Sequence, residues 1–85
     1  MSEISRFHGI VIKMFHLEHG PPHFHAHYGG HKISVLIWSG VVRGRFPPSA
    51  LRHVHQWYHL HQAELMRNWE RARHAQPLER IDPLE

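Results

Sequence analysis

Apolar and polar residues alternate with period two across "HFHAHY" and again across "HKISVL", residues 23–28 and 31–36. That alternation predicts two half-buried strands. Gly29-Gly30 between them suits a two-residue hairpin turn, which needs positive φ angles. The turn sets a register in which Tyr28 faces His31, Ala26 faces Ile33 and Phe24 faces Val35. These side chains share one face, the expected core face, and His23, His25 and His27 share the other with Lys32, Ser34 and Leu36. Upstream, "FHGIVIKMFH" (7–16) is β-branched and aromatic with no helix cap at either end, and predicts a first strand. "LEHGPP" (17–22) breaks it, and Pro21-Pro22 deliver the chain in extended form to His23. A second tight turn at Ser39-Gly40 returns "VVRGRF" as a short strand, which adds Arg43 to the histidine side, with Arg45 beside it.

The period changes after Pro47-Pro48, where a proline in the first turn opens a helix. Leu51, Val54, Tyr58, Leu65, Trp69 and Ala72 follow steps of three and four, one stripe over about 25 residues. The stripe predicts a single long helix packed on the Phe24, Ile33 and Val35 face. Pro77 and Pro83 end it near Gln76 and leave an extended tail, whose Leu78, Ile81 and Leu84 can anchor it to the domain or to another chain. The expectation is an α+β fold: a three- to four-stranded antiparallel meander over about 7–46, packed on one face by one C-terminal helix over about 48–75, with a tail over 76–85. The 85 residues suffice for one domain with one core.

Composition removes several function classes. No cysteine is present, which excludes disulfides, thiolate metal sites and a cysteine nucleophile. The apolar runs Ile10-Val11-Ile12 and Val35-Leu36-Ile37-Trp38 fall far short of the roughly 18 residues of a membrane span. "MSEISRF" lacks an apolar signal core, so the expected location is the cytoplasm. A formal charge of +3 and twelve histidines admit an acidic partner or nucleic acid, but that charge is also ordinary for solubility in a small domain.

The histidines carry three readings. His23, His25 and His27 at i, i+2 and i+4 on a strand project to one side, where imidazoles can chelate zinc, nickel or copper. His55 and His59 have the i, i+4 helical spacing that also chelates. The only nearby acid is Glu18, and no HExxH-type motif ties these groups into a recognised catalytic site. The plain alternative is a row of solvated strand histidines. A second reading is acid–base chemistry on RNA or another phosphate ester, with Arg43 or Arg45 stabilising charge beside His25. A third is a protein interface in which Leu36 and Trp38 serve as anchors on a polar face. His61 continues the helical stripe and reads as a hydrogen-bonded core residue. The segment "RNWERAR" reads as an ion-paired exterior.

The segments "ISRFHGIVIKM", "PPHFHA" and "LHQAELMRNWERA" together resemble a small bacterial family of domains of unknown function, over nearly the whole chain. The resemblance implies one half of a toxin–antitoxin-like gene pair, beside another small domain encoded nearby. On it, Pro21, Pro22, His23, Phe24, His25 and Ala26 match the first signature segment, and Leu60, His61, Glu64, Leu65, Asn68 and Trp69 match the helical one. No catalytic residues come with it. Shared chemistry would rest on His23 and His25, joined by His61 and Asn68 from the helix. The function expected is a binding module acting through a protein partner, with a homodimer through open sheet edges as a further expectation. The alternative is a histidine-based or metal-dependent enzyme such as a ribonuclease-like toxin.

Overall fold

The computed structural model describes residues 2–85. Five strands form one antiparallel meander in the order β1-β2-β3-β4-β5: β1 (Ser2–Phe7), β2 (Ile10–Met14), β3 (His23–Tyr28), β4 (His31–Leu36) and β5 (Val42–Gly44). Two helices follow, α1 (Pro48–Leu60) and α2 (Gln62–Arg73). The fold is therefore α+β, but with five strands rather than three or four and with two helices rather than one.

The added strand comes from the N-terminus. Residues 7–16 do not make one strand, because His8 (φ 50°) and Gly9 (φ 77°) turn the chain back between β1 and β2. A pair of positive φ angles is what a tight hairpin requires, and histidine is among the side chains that tolerate that region. Gly9 also admits Tyr28, whose ring would lie 3.2 Å from a Cβ at this position.

The β3–β4 register is the expected one at every pair, from His23 opposite Leu36 to Tyr28 opposite His31. Gly29 takes φ 56° in the turn. β5 pairs Arg43 with Ser34 and so places Arg43 on the histidine side of the sheet. Gly44 permits the edge pairing, since a Cβ there would stand 2.6 Å from the Lys32 carbonyl oxygen.

The predicted helix is interrupted at His61 (φ −127°, ψ 24°). Neither proline nor glycine causes the break. The His61 N–H turns back to the Tyr58 carbonyl at 3.2 Å, while its imidazole meets Glu64 at 2.6 Å. Gln62 donates to the Tyr58 hydroxyl at 2.9 Å. The apolar stripe runs on in phase through this bend, and Val54, Tyr58, Leu65, Trp69 and Ala72 are all buried with Trp57. Both helices end up on the Phe24, Ala26, Ile33 and Val35 side, and Ile4, Ile10, Ile12 and Met14 extend the same core across β1 and β2.

The tail closes the domain on itself. Ile81 is buried and donates its N–H to the Ile4 carbonyl at 2.8 Å, and Trp57 Nε1 donates to the Asp82 carbonyl at 2.8 Å. Asn68, 1% exposed, donates to the Glu79 carbonyl and accepts from the Glu79 N–H. Arg6 and Arg80 both donate to the Glu3 carboxylate and, Arg6 first, pull it down from 4.5 to about 2. One face of the sheet is thus covered by helices and tail, and the opposite face carries the histidines.

Candidate functional site

The open face starts from the strand alternation: with Phe24 and Ala26 turned into the core, His23, His25 and His27 must turn outward. The segment between β2 and β3 then folds over the start of β3. Leu17 (φ 58°) donates its N–H to the carbonyl of Ala72 at the end of α2, at 3.0 Å, and the His16 imidazole lies 2.8 Å from the Gln76 carbonyl. Pinned at that point, the segment lays Glu18 against the first two histidines. Glu18 Oε2 is 3.2 Å from His23 Nε2 and 3.0 Å from His25 Nε2. One oxygen or nitrogen from each of these residues falls within 4.8 Å of the others, and among the described residues no other group of three acidic or histidine side chains does so.

The rings are held from outside as well. His23 packs on Trp69 of α2 with centroids 5.1 Å apart, and Phe15 sets its ring against His25 at 4.7 Å. His23 Nδ1 donates to the Pro21 carbonyl at 2.8 Å, a bond with only one direction because a carbonyl can only accept. His25 Nε2 meets both Glu18 oxygens within hydrogen-bond distance, at 3.1 and 3.0 Å, while His23 Nε2 approaches Oε2 from the side. All three side chains are half-buried, so water screens them less than it would on a flat surface.

His27 does not join them. It stands beside Lys32 across the hairpin and opposite Val11 of β2. Burial first, then the positive charges of Lys13, His25 and Lys32, lower its pKa from the ordinary 6.5. His27 should accordingly take up its proton only below the ordinary imidazole range, which a proton NMR titration of its ring signals checks. The linkage runs one way: its contribution to stability is complete above 6.5 and is lost as pH falls through the lower folded-state value.

The remaining candidates separate into two places. Leu36 and Arg43 line a cleft of about 270 Å³ with His19, His23 and Ser34 on the open face. Trp38 is not on that face, because β4 stops at Leu36 and Trp38 lies in the turn to β5. It is nonetheless 70% exposed, and with Trp69 and Pro22 it lines an adjoining cleft of about 350 Å³ that has Glu18 at its rim. Trp69 thus touches both the histidine cluster and the second cleft. His61 and Asn68 lie elsewhere: His61 is bonded to Glu64 and packs on Trp57, and Asn68 is spent on the tail. The rings of His55 and His59 stack edge to face at 4.5 Å on α1, apart from the strand cluster.

What sequence reasoning passed over was Glu18 as a partner of the first two histidines, although its position five residues before His23 was a usable signal. No helix among the described residues is long and apolar enough to cross a membrane. No curated protein and no solved structure matches the chain. A family model described as a domain of unknown function matches residues 9–70, from the β1–β2 turn almost to the end of α2, and so spans Glu18, His23, His25, Trp38 and Trp69. With well over half of its length matched, the chain belongs to the DUF4160 family, a domain of unknown function.

Proposed function

We propose that this chain is a binding module that acts through a protein partner encoded beside it, as one component of a toxin–antitoxin-like pair. The gene-pair context comes from the family resemblance. The observation that carries the binding reading is Trp38, a large aromatic side chain 70% exposed at the mouth of a cleft with Trp69 and Pro22. Tryptophan and arginine dominate the affinity of protein interfaces when they sit at the centre of a contact. The charge on the neighbouring sheet face supports one kind of partner. Lys13, Lys32 and Arg43 project from the open sheet face beside the cleft, whose own charged lining is Glu18, Glu70 and Arg73. An acidic protein surface with an apolar side chain to enter the cleft is the complement.

The test is calorimetric titration of this protein with the product of the adjacent gene. Trp38→Ala should weaken the complex by at least about 2 kcal/mol, roughly 30-fold, while the circular dichroism of the free protein stays unchanged. Equal affinity for the variant, or no complex with the wild type, would overturn the reading. Size-exclusion chromatography of the same samples reports whether the protein alone forms a homodimer.

A second reading, a histidine-based or metal-dependent enzyme such as a ribonuclease-like toxin, has the convergence of Glu18, His23 and His25 in its favour. Arg43 stands in the same row, since it pairs with Ser34 and Ser34 with His25. Expression without the neighbouring gene separates the readings. Growth arrest that the neighbour relieves and His25→Ala abolishes favours the enzyme, whereas no arrest together with a tight complex favours the binding module.

A further inference from the structure

We infer that Glu18, His23 and His25 form a binding site for one late first-row divalent metal ion, with zinc the best fit. The site stands on its own geometry and does not depend on the partner reading.

The distances suit a small tetrahedral ion. Zinc–nitrogen and zinc–oxygen bonds of about 2.0–2.1 Å at tetrahedral angles put neighbouring ligand atoms about 3.3 Å apart. Glu18 Oε2 lies 3.2 Å from His23 Nε2 and 3.0 Å from His25 Nε2. Both distances fall within about 0.3 Å of that spacing, and the three ligand atoms all lie within 4.8 Å of one another.

The surroundings are those that a ligating histidine uses. Such a histidine gives its other ring N–H to a carbonyl or carboxylate, which fixes the tautomer and aims the free nitrogen at the metal. His23 does this with the Pro21 carbonyl at 2.8 Å. Both rings are braced by aromatic neighbours, His23 by Trp69 and His25 by Phe15, so little rotamer freedom remains to be lost on binding. Glu18 is brought in by a segment tied to α2 through the Leu17 N–H and the Ala72 carbonyl. The carboxylate, the two strand histidines and the carbonyl that holds His23 all come from residues 18–25.

Donor type decides the metal class. Two imidazoles and one carboxylate prefer zinc, nickel or copper to magnesium or calcium, which take all-oxygen sets. Three protein ligands leave a fourth coordination position for water or for a group of an incoming molecule. Glu18 also lines the Trp38 cleft, so the site and that cleft adjoin.

The competing explanation is that a proton alone bridges Glu18 and the histidines. Titration of untagged, chelator-treated protein with zinc chloride at neutral pH, in several buffers of different ionisation enthalpy, separates the two. The metal site predicts one equivalent bound, with protons released to the buffer. His25→Ala and Glu18→Gln should each weaken binding at least tenfold. Glu18 lies in a half-exposed connecting segment, so its variant tests the ligand set without disturbing the core. His27→Ala and the His55→Ala/His59→Ala pair should leave the stoichiometric site intact. Cobalt(II) in place of zinc should give the strong visible absorption of a tetrahedral site in the wild type and lose it in Glu18→Gln. Failure to bind zinc, or binding that survives in Glu18→Gln and His25→Ala but disappears with His55 and His59, would overturn the inference.

Discussion

Replacing Trp57 with alanine should cost about 3–5 kcal/mol of folding stability, the range for removing a large aromatic side chain from a packed core. Trp57 is fully buried. Its indole lies 5.5 Å from the Phe7 ring and 5.7 Å from the Phe24 ring, so it joins α1 to both the first and the third strand. Its Nε1–H satisfies the Asp82 carbonyl at 2.8 Å, which means the tail loses a tether together with the core losing volume. In urea unfolding followed by circular dichroism, the midpoint should fall steeply with little change in slope. Trp57→Phe keeps most of the volume and lacks the donor; it should cost less and selectively speed amide exchange around Ile81. A loss under about 1 kcal/mol for the alanine variant would contradict the packing described here.

Asn68→Ala should be the second most damaging of these changes, at about 2–3 kcal/mol. Asn68 is 1% exposed and meets one tail residue in both directions, giving to the Glu79 carbonyl at 2.8 Å and accepting from its N–H at 2.9 Å. Each such bond contributes about 1 kcal/mol net, and the truncated side chain adds an unfilled space. Asn68→Asp tests the geometry separately: the carboxylate still accepts from the Glu79 N–H but repels its carbonyl. Thermal unfolding should place Asn68→Asp near the alanine variant, because the charge must remain in a buried position. Stability within 0.5 kcal/mol of wild type for both variants, on the order expected for a surface substitution, would show that the tail is not fastened through this side chain.

The parts of this structure that were legible in the sequence are those fixed by short-range rules. Strand alternation and the Gly29-Gly30 turn were enough to set every pair between β3 and β4, and the return of the chain after Ser39-Gly40 put Arg43 on the histidine side. The His8–Gly9 turn was hidden because a glycine inside a β-branched run reads equally well as strand interior, and only the paired positive φ angles reveal the hairpin. The bend at His61 was hidden for the opposite reason. The buried stripe stays in phase through it, so periodicity carries no mark of a break made by side-chain bonds of His61 and Gln62.

The histidine site shows the same division. Period two correctly gathers His23, His25 and His27 on one face, but a strand advances about 3.3 Å per residue, so the first and last are roughly 13 Å apart. Facing one way is not the same as converging. Convergence depends on the 15–22 segment, whose path is decided by a bond from Leu17 to the far end of α2. That contact spans 55 residues of sequence, and no local pattern announces it. It gives Glu18 to His23 and His25 and leaves His27 to Lys32.

The working surface proposed for this protein is the open sheet face with the Trp38 cleft beside it. The most direct measurement is a two-dimensional amide NMR titration of the labelled protein with the unlabelled product of the adjacent gene. Shifts are expected only at residues around 18–27, 32–38 and 41–43, with Trp69 as the contact from α2. Shifts concentrated instead on the outer side of α1 and on the tail around Leu84, with the histidine strand unmoved, would contradict it.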